Sequence, residues 1–136
     1  MADSITLRII TPEKIVLDTQ VSAVRIPAQD GSMGILRRHA PMVVALGVGE
    51  LEYEQQGGGS TGVFVAGGFA EVRDDTVRVV TEASEPPTDI DVERAAGAAE
   101  RARERLAMRG GDVDVARAEF ALRRALVRQN LARKWH

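Results

Sequence analysis

Glu82-Ala83-Ser84-Glu85-Pro86-Pro87-Thr88-Asp89-Ile90-Asp91-Val92-Glu93-Arg94-Ala95 is the stretch at which this chain changes character. All five prolines lie at or before Pro87, and ten of the thirteen glycines precede it. From Asp89 to His136 there is no proline, but there are eleven alanines and ten arginines. Upstream the apolar residues alternate every second position; downstream they recur at helical spacing. The expected organisation is therefore α+β, with a β module over 1–86 joined to a helical arm over 87–136.

Upstream of the break, Ser4 to Ile10 alternates and reads as a strand, and Pro12 marks a turn over Thr11 to Lys14. Ile15 to Leu17, Val21 to Pro27, Met33 to Leu36, Met42 to Leu46, Gly49 to Glu54, Gly62 to Ala66, Phe69 to Arg73 and Val77 to Val80 follow as strands. About nine short strands at this spacing mean a sandwich or a barrel. Asp74-Asp75 reads as a tight turn and Gly57-Gly58-Gly59-Ser60-Thr61 as a flexible hairpin loop. Gly67-Gly68 interrupts the pattern, which marks a bulge or a close backbone approach.

Downstream, Thr88-Asp89 offers a helix N-cap, with Asp91 and Glu93 favouring the positive end of the helix dipole. The first helix is expected to run to about Met108. Arg109-Gly110-Gly111-Asp112 supplies a stop, a turn and a new cap, and the second helix runs from about Val113 to Lys134. So short a linker makes the two helices antiparallel neighbours. Ala95, Ala98, Ala99, Ala102 and Leu106 line one side of the first helix; Ala118, Ala121, Leu122, Ala125 and Ala132 line one side of the second. Such small residues bury little area, so the hairpin is expected to be weakly stable alone and able to open.

Charge follows the same division. The 136-residue chain has a net charge of -2, yet residues 90–136 carry eleven basic and seven acidic side chains, net +4. Residues 115–136 carry six basic side chains against Glu119 alone. Arg117, Arg124 and Arg128 share one face of the second helix, and Asp91, Arg94 and Arg101 share one face of the first. Guanidinium groups bind phosphate or carboxylate bidentately and keep their charge. Pairing within the first helix, as Glu100 with Arg103 or Glu104 with Arg101, accounts for its charges; the second helix has too few acids for that.

Several functions are excluded or disfavoured. With no cysteine there is neither a disulfide framework nor thiolate chemistry. Carboxylates and histidines do not cluster at metal-ligand spacing. No apolar run reaches the roughly 20 residues of a spanning helix, and no leader precedes Ile5, so a soluble cytosolic chain is expected. Ser32, His39 and Asp30 could be drawn as a catalytic set, but nearness in sequence carries nothing. The glycine loop lacks the lysine of a phosphate loop. An acidic chain without an aromatic platform does not suit nucleic acid, and Trp135 is expected to be a frayed end or a partner contact. The residues alone leave open a stand-alone nucleotide- or anion-binding regulatory module.

Ile10-Thr11-Pro12-Glu13-Lys14, then Gly34-Ile35-Leu36-Arg37-Arg38-His39-Ala40-Pro41, then Gly67-Gly68-Phe69-Ala70-Glu71-Val72, then Ile90-Asp91-Val92-Glu93-Arg94-Ala95 occur in this order. Together they resemble the ε subunit of bacterial F-type ATP synthase over essentially the whole chain. The resemblance implies a ten-strand β-sandwich followed by an antiparallel α-helical hairpin. It implies a non-catalytic rotor subunit of the central stalk that binds the γ subunit, rests on the membrane-embedded c-ring at the cytoplasmic face of the plasma membrane, and couples proton-driven rotation to catalysis in the α/β hexamer. It also implies an arm that inhibits ATP hydrolysis when extended, its basic second helix meeting acidic segments of the catalytic subunits.

The same resemblance implies a regulatory ATP site in the folded arm. Ile90-Asp91-x-x-Arg94-Ala95 matches the family's nucleotide motif at each specified position. Arg101, Arg117, Arg124 and Arg128 stand at the places of its other arginines, and Glu85 at that of the acid before the hairpin. On the docking side the sequence departs from the family. Arg37-Arg38 replaces a usual Pro-Gly before His39, and Ser32 stands where an acid is usual. Ser32, Arg37, Arg38 and His39 are the expected contacts to the c-ring and γ, with the two arginines meeting acidic or backbone groups of the ring.

Overall fold

The computed structural model describes residues 4–108 and 114–135. Nine strands precede two helices in chain order: β1 (Ile5–Ile10), β2 (Ile15–Ala28), β3 (Gly31–Ile35), β4 (Met42–Ala45), β5 (Val48–Gln55), β6 (Ser60–Ala66), β7 (Phe69–Arg73), β8 (Thr76–Val80), β9 (Ser84–Glu85), α1 (Val92–Ala107) and α2 (Val115–Lys134). The stop and cap expected over 109–112, the helix start at Val113, and His136 lie outside the described residues.

The strands run in the order β4-β7-β8-β1-β2-β5-β6-β9, with β3 also pairing β2. The first half of β2 pairs with β1 and the second half with β3 and β5, and its pairing with β5 shifts register between Val21 and Ala23. A bulge bends the strand that carries it. The bend lets one continuous β2 pass from one layer of a sandwich to the other. The two separate strands expected over 15–17 and 21–27 are therefore one. With the two-residue β9, too short to leave a period, the described count is nine where the resemblance implied ten.

The main core lies between the layers. Ile5, Leu7 and Ile9 of β1 alternate inward, joined by Val21, Val24 and Ile26 of β2, Ile35, Leu51, Val63, Val65, Val72, Val77 and Val79. Aliphatic and β-branched side chains fill it, as so few aromatics require. Asp74 and Asp75 both adopt positive φ, 50° and 55°, which gives the β7–β8 hairpin a two-residue turn whose twist suits its strands. The close approach expected at Gly67-Gly68 is present: a Cβ on Gly68 would stand 1.9 Å from the Val80 carbonyl oxygen.

Strand β6 is buried on both faces, from Gly62 to Ala66. Val63 and Val65 face the main core, whereas Phe64 and Ala66 belong to a second cluster with Ile90 and Leu131. That second cluster is where the arm docks. α2 lies against β5 and β6 while α1 packs on α2. Ala95, Ala99 and Ala102 of α1 and Ala118 and Ala125 of α2 are buried, as the small-residue stripes required; Ala98, Leu106, Ala121, Leu122 and Ala132 are half-buried.

Candidate functional site

The arm's first turns are set by the two prolines. Pro86 is extended (φ -68°, ψ 159°), Pro87 opens a single 3-10 turn ending at Asp89, and Ile90 is extended again (φ -76°, ψ 124°). Ile90 is buried in the second cluster. Placing that side chain inward keeps the backbone out of helical geometry until residue 92. The cap expected at Thr88-Asp89 is accordingly displaced: Asp91 is the N-cap of α1, and its Oδ1 accepts the Arg94 backbone N–H at 3.0 Å. Asp114 caps α2 in the same way, accepting from Arg117 N at 3.0 Å. Replacing such a cap costs about 1 kcal/mol of helix stability.

Arg128 reaches across from α2 to the sandwich. Its Nε donates to Glu85 Oε1 at 2.5 Å, and its guanidinium carbon stands 4.2 Å above the centre of the Phe64 ring. The two observations share a cause. Phe64 and Glu85 are register partners across β6 and β9, so the ring and the carboxylate present one surface. The ring face attracts the cation and the carboxylate fixes its direction. Both partners are about two-thirds covered, with side-chain exposures of 28% and 32%.

The remaining arm residues are arranged less closely. Ala95 is buried between the helices, and Arg94, Arg101 and Arg117 are exposed. Arg124 is half-buried. The Arg101 side chain leans over Gly97, where an added Cβ would stand 3.2 Å from its Nη1. The structure thus joins Glu85 to Arg128 and Asp91 to Arg94, the latter through backbone. Among the described residues, Arg94, Arg101, Arg117 and Arg124 make no ion pair. On α1 the expected Glu100–Arg103 pair forms at 3.8 Å, and Glu104 with Arg101 does not. Guanidinium groups of this kind match phosphate or carboxylate oxygens bidentately.

At the other end, Ser32 is exposed on β3 and lies 3.4 Å from Arg25 Nη1, accepting its hydrogen bond. Arg38 has φ 65°, and its backbone N–H donates to Asp75 Oδ1 at 2.6 Å, tying the loop after β3 to the β7–β8 turn. His39 Nδ1 donates to the Ala40 carbonyl at 2.8 Å. Arg37 is half-buried in the same loop, beside Leu36, which is 66% exposed. Among the described residues no His, Cys, Asp or Glu group could hold a metal ion, and no helix is long and apolar enough to cross a membrane.

Sequence reasoning missed five participants: Phe64, Leu131, Trp135 and the two β5 acids Glu50 and Glu52. Leu131 is buried at the centre of the second cluster. Trp135 is not a frayed end: it is half-buried, and its indole N–H donates to Glu50. Lys134 Nζ stands 3.4 Å from both Glu50 and Glu52. Its pKa is raised: desolvation pulls it down, and Glu50 and Glu52 together outweigh that. The acids missing from α2 are supplied by the sandwich. A signal was present in Gly62-Val63-Phe64-Val65-Ala66, since an unbroken apolar run in a strand means that both faces are covered.

Two family descriptions match in succession: "ATP synthase, Delta/Epsilon chain, beta-sandwich domain" over residues 4–87 and "ATP synthase, Delta/Epsilon chain, long alpha-helix domain" over 88–133. The chain is 50% identical over 133 residues to the ATP synthase epsilon chain of Symbiobacterium thermophilum, covering 97% of this chain and 94% of the relative. It is 46% identical over 128 residues to that of Desulforamulus reducens, covering 94% and 96%. Among solved structures it is similar to a chain of the Euglena gracilis mitochondrial ATP synthase, OSCP/F1/c-ring, with a TM-score of 0.80 and 32% identity over 91% of this chain and 78% of that one. A chain of the Tetrahymena thermophila central stalk and c-ring shares the fold, with a TM-score of 0.56 and 15% identity over 96% and 94%. From the strand order to the capped hairpin, this chain belongs to the ATP synthase epsilon chain family.

Proposed function

We propose that the chain is a non-catalytic rotor subunit in the central stalk of a bacterial F-type ATP synthase. It is held at the cytoplasmic membrane face only through that complex. The loop bearing Ser32, Arg37, Arg38 and His39 contacts the c-ring and γ, while the helical arm regulates the α/β hexamer. Closed, the arm takes ATP among Asp91, Arg94, Arg101, Arg117, Arg124 and Arg128; extended, its basic α2 meets acidic segments of the catalytic subunits and stops hydrolysis. The observation that supports this reading is the closed arm itself. Arg128 is pinned to Glu85 at the foot of a hairpin whose other candidate arginines carry no partner among the described residues.

The anion follows from the donor set. Guanidinium groups match phosphate oxygens bidentately and act as fixed charges at neutral pH. A helix N-terminus lies at Asp91, where the first free N–H groups of α1 favour negative charge. ATP would be bound, not cleaved, and no metal or other cofactor is required of the protein. Calorimetry on the isolated chain tests the site: ATP should give a binding heat without hydrolysis, lost in Arg94→Ala. A flat titration for the unaltered chain sinks the nucleotide part alone. In the assembled complex, removal of residues 89–136 should raise ATP hydrolysis; an unchanged rate refutes the inhibitory arm.

A further inference from the structure

We propose that the last turn of α2 is a latch that holds the arm closed without nucleotide, with Glu50 as its keeper. Two groups meet on that one carboxylate. The Trp135 indole donates to Glu50 Oε2, and Lys134 Nζ stands 3.4 Å from Glu50 Oε1 while also reaching Glu52 at 3.4 Å. The ammonium in turn lies 4.9 Å from the centre of the Trp135 ring. Glu50 and Glu52 are alternate residues on β5, so both project toward the arm. Loss of Glu50 therefore frees both groups at once.

The seat is shaped for this contact. Gly62 is the register partner of Glu52 on β6. A Cβ there would stand 2.5 Å from Glu50 Oε2 and 2.7 Å from Trp135 Nε1. A side chain at that position would drive the carboxylate and the indole apart, so the contact requires glycine. None of these residues belongs to the nucleotide set. Lys134 and Trp135 end α2, which the antiparallel hairpin brings back beside the Pro87–Asp89 turn and the start of α1, so the contact closes the base of the arm on β5 and β6.

The latch is also adjustable. The Lys134 side chain is 51% exposed, Glu50 26% and Glu52 34%, so dissolved ions compete for all three. Increasing salt should release it, and so should a cationic surface brought to Glu50 and Glu52. The main core contains no charge and is indifferent to either. Ionic conditions thereby act on the arm while leaving the sandwich folded.

Trp135 is the sole tryptophan and the chain has no cysteine, which gives two clean probes of the full-length protein. Spin labels on Gln56→Cys and Phe120→Cys report the separation of arm and sandwich; acrylamide quenching reports Trp135. All measurements are made without nucleotide, so they stand apart from the ATP reading. Glu50→Gln and Gly62→Ala should each raise the open-to-closed ratio about tenfold, the scale of a lost charge-assisted hydrogen bond. Both should lengthen the label distance and make Trp135 more quenchable, and 1 M salt, with its Debye length of about 3 Å, should move the unaltered chain the same way. A label distance unchanged in Glu50→Gln overturns the latch, even if Trp135 alone becomes exposed. That pattern would mean a frayed end and nothing more. Should Gly62→Ala weaken β6, the isosteric Glu50→Gln decides alone.

Discussion

The two apolar clusters share strand β6 and differ in nearly everything else. The main core is built from fifteen buried aliphatic side chains of the strands and the turns between them, each neighbour fixed by backbone pairing. The second has four buried members drawn from the sandwich, the hinge and α2, and it is bordered by Arg128–Glu85 and by Lys134 and Trp135 on Glu50. One cluster holds the molecule together; the other holds a part of it in place. Burying a leucine contributes about 1.5–3 kcal/mol, so an arm fastened by Leu131 and a few half-exposed ions sits within reach of being opened. A core of the first kind is not within reach of anything short of unfolding.

The comparison is most exposed to Leu51→Ala, in the main core. Truncating a fully buried leucine should cost about 2–5 kcal/mol, visible as a lower urea midpoint for the whole chain. A loss confined to the arm would show that the clusters are not separate. Leu131→Ala, the same chemistry in the second cluster, should leave the sandwich transition almost in place. Its effect should appear in hydrogen exchange, as lost protection of α2 with normal protection of β1 and β8. If the urea midpoint falls as far as for Leu51→Ala, the arm belongs to the global fold and the distinction fails.

Smaller effects sharpen the boundary between them. Glu85→Gln should loosen α2 by about 1 kcal/mol, since the pair is only partly covered and the amide still accepts one hydrogen bond. Native-state exchange of the α2 amides is the measurement, and faster exchange in the β-strands would contradict it. The least effect should come from pH. Lys134 has its folded-state pKa raised above the ordinary 10.5. Its contribution is therefore complete below pH 10.5 and is lost as the pH climbs through the higher folded value. Trp135 emission should change in that alkaline window, and Lys134→Arg, whose charge persists, should abolish the change. A transition that survives Lys134→Arg belongs to another group.

How much of this was legible beforehand follows the same division. The sandwich announces itself because alternation along β1 and β8 is enforced by a core on one side and water on the other. The Asp74-Asp75 turn is readable for a similar reason: its chemistry is local. Partnerships made across the hinge leave no period. Glu85 pairs with Arg128 over 43 positions and Trp135 with Glu50 over 85, and neither spacing has a local signature. Leu131 escaped notice because the stripe pointing at α1 is alanine, whereas Leu131 points at the sandwich. The cap at Asp91 was displaced from Thr88-Asp89 by Ile90, whose burial no local rule requires. The arginines of the nucleotide reading were found through the motif at Ile90 to Ala95, and only Arg128 is tied down by the fold.

A strand covered on both faces is inspected twice. Sliding β6 by one position along β5 would turn Val63 and Val65 toward the arm and send Phe64 and Gly62 into the core. Only the correct register offers α2 an aromatic ring for Arg128 and an empty place for Trp135. Closure of the arm thus requires a hairpin whose odd and even residues both fit.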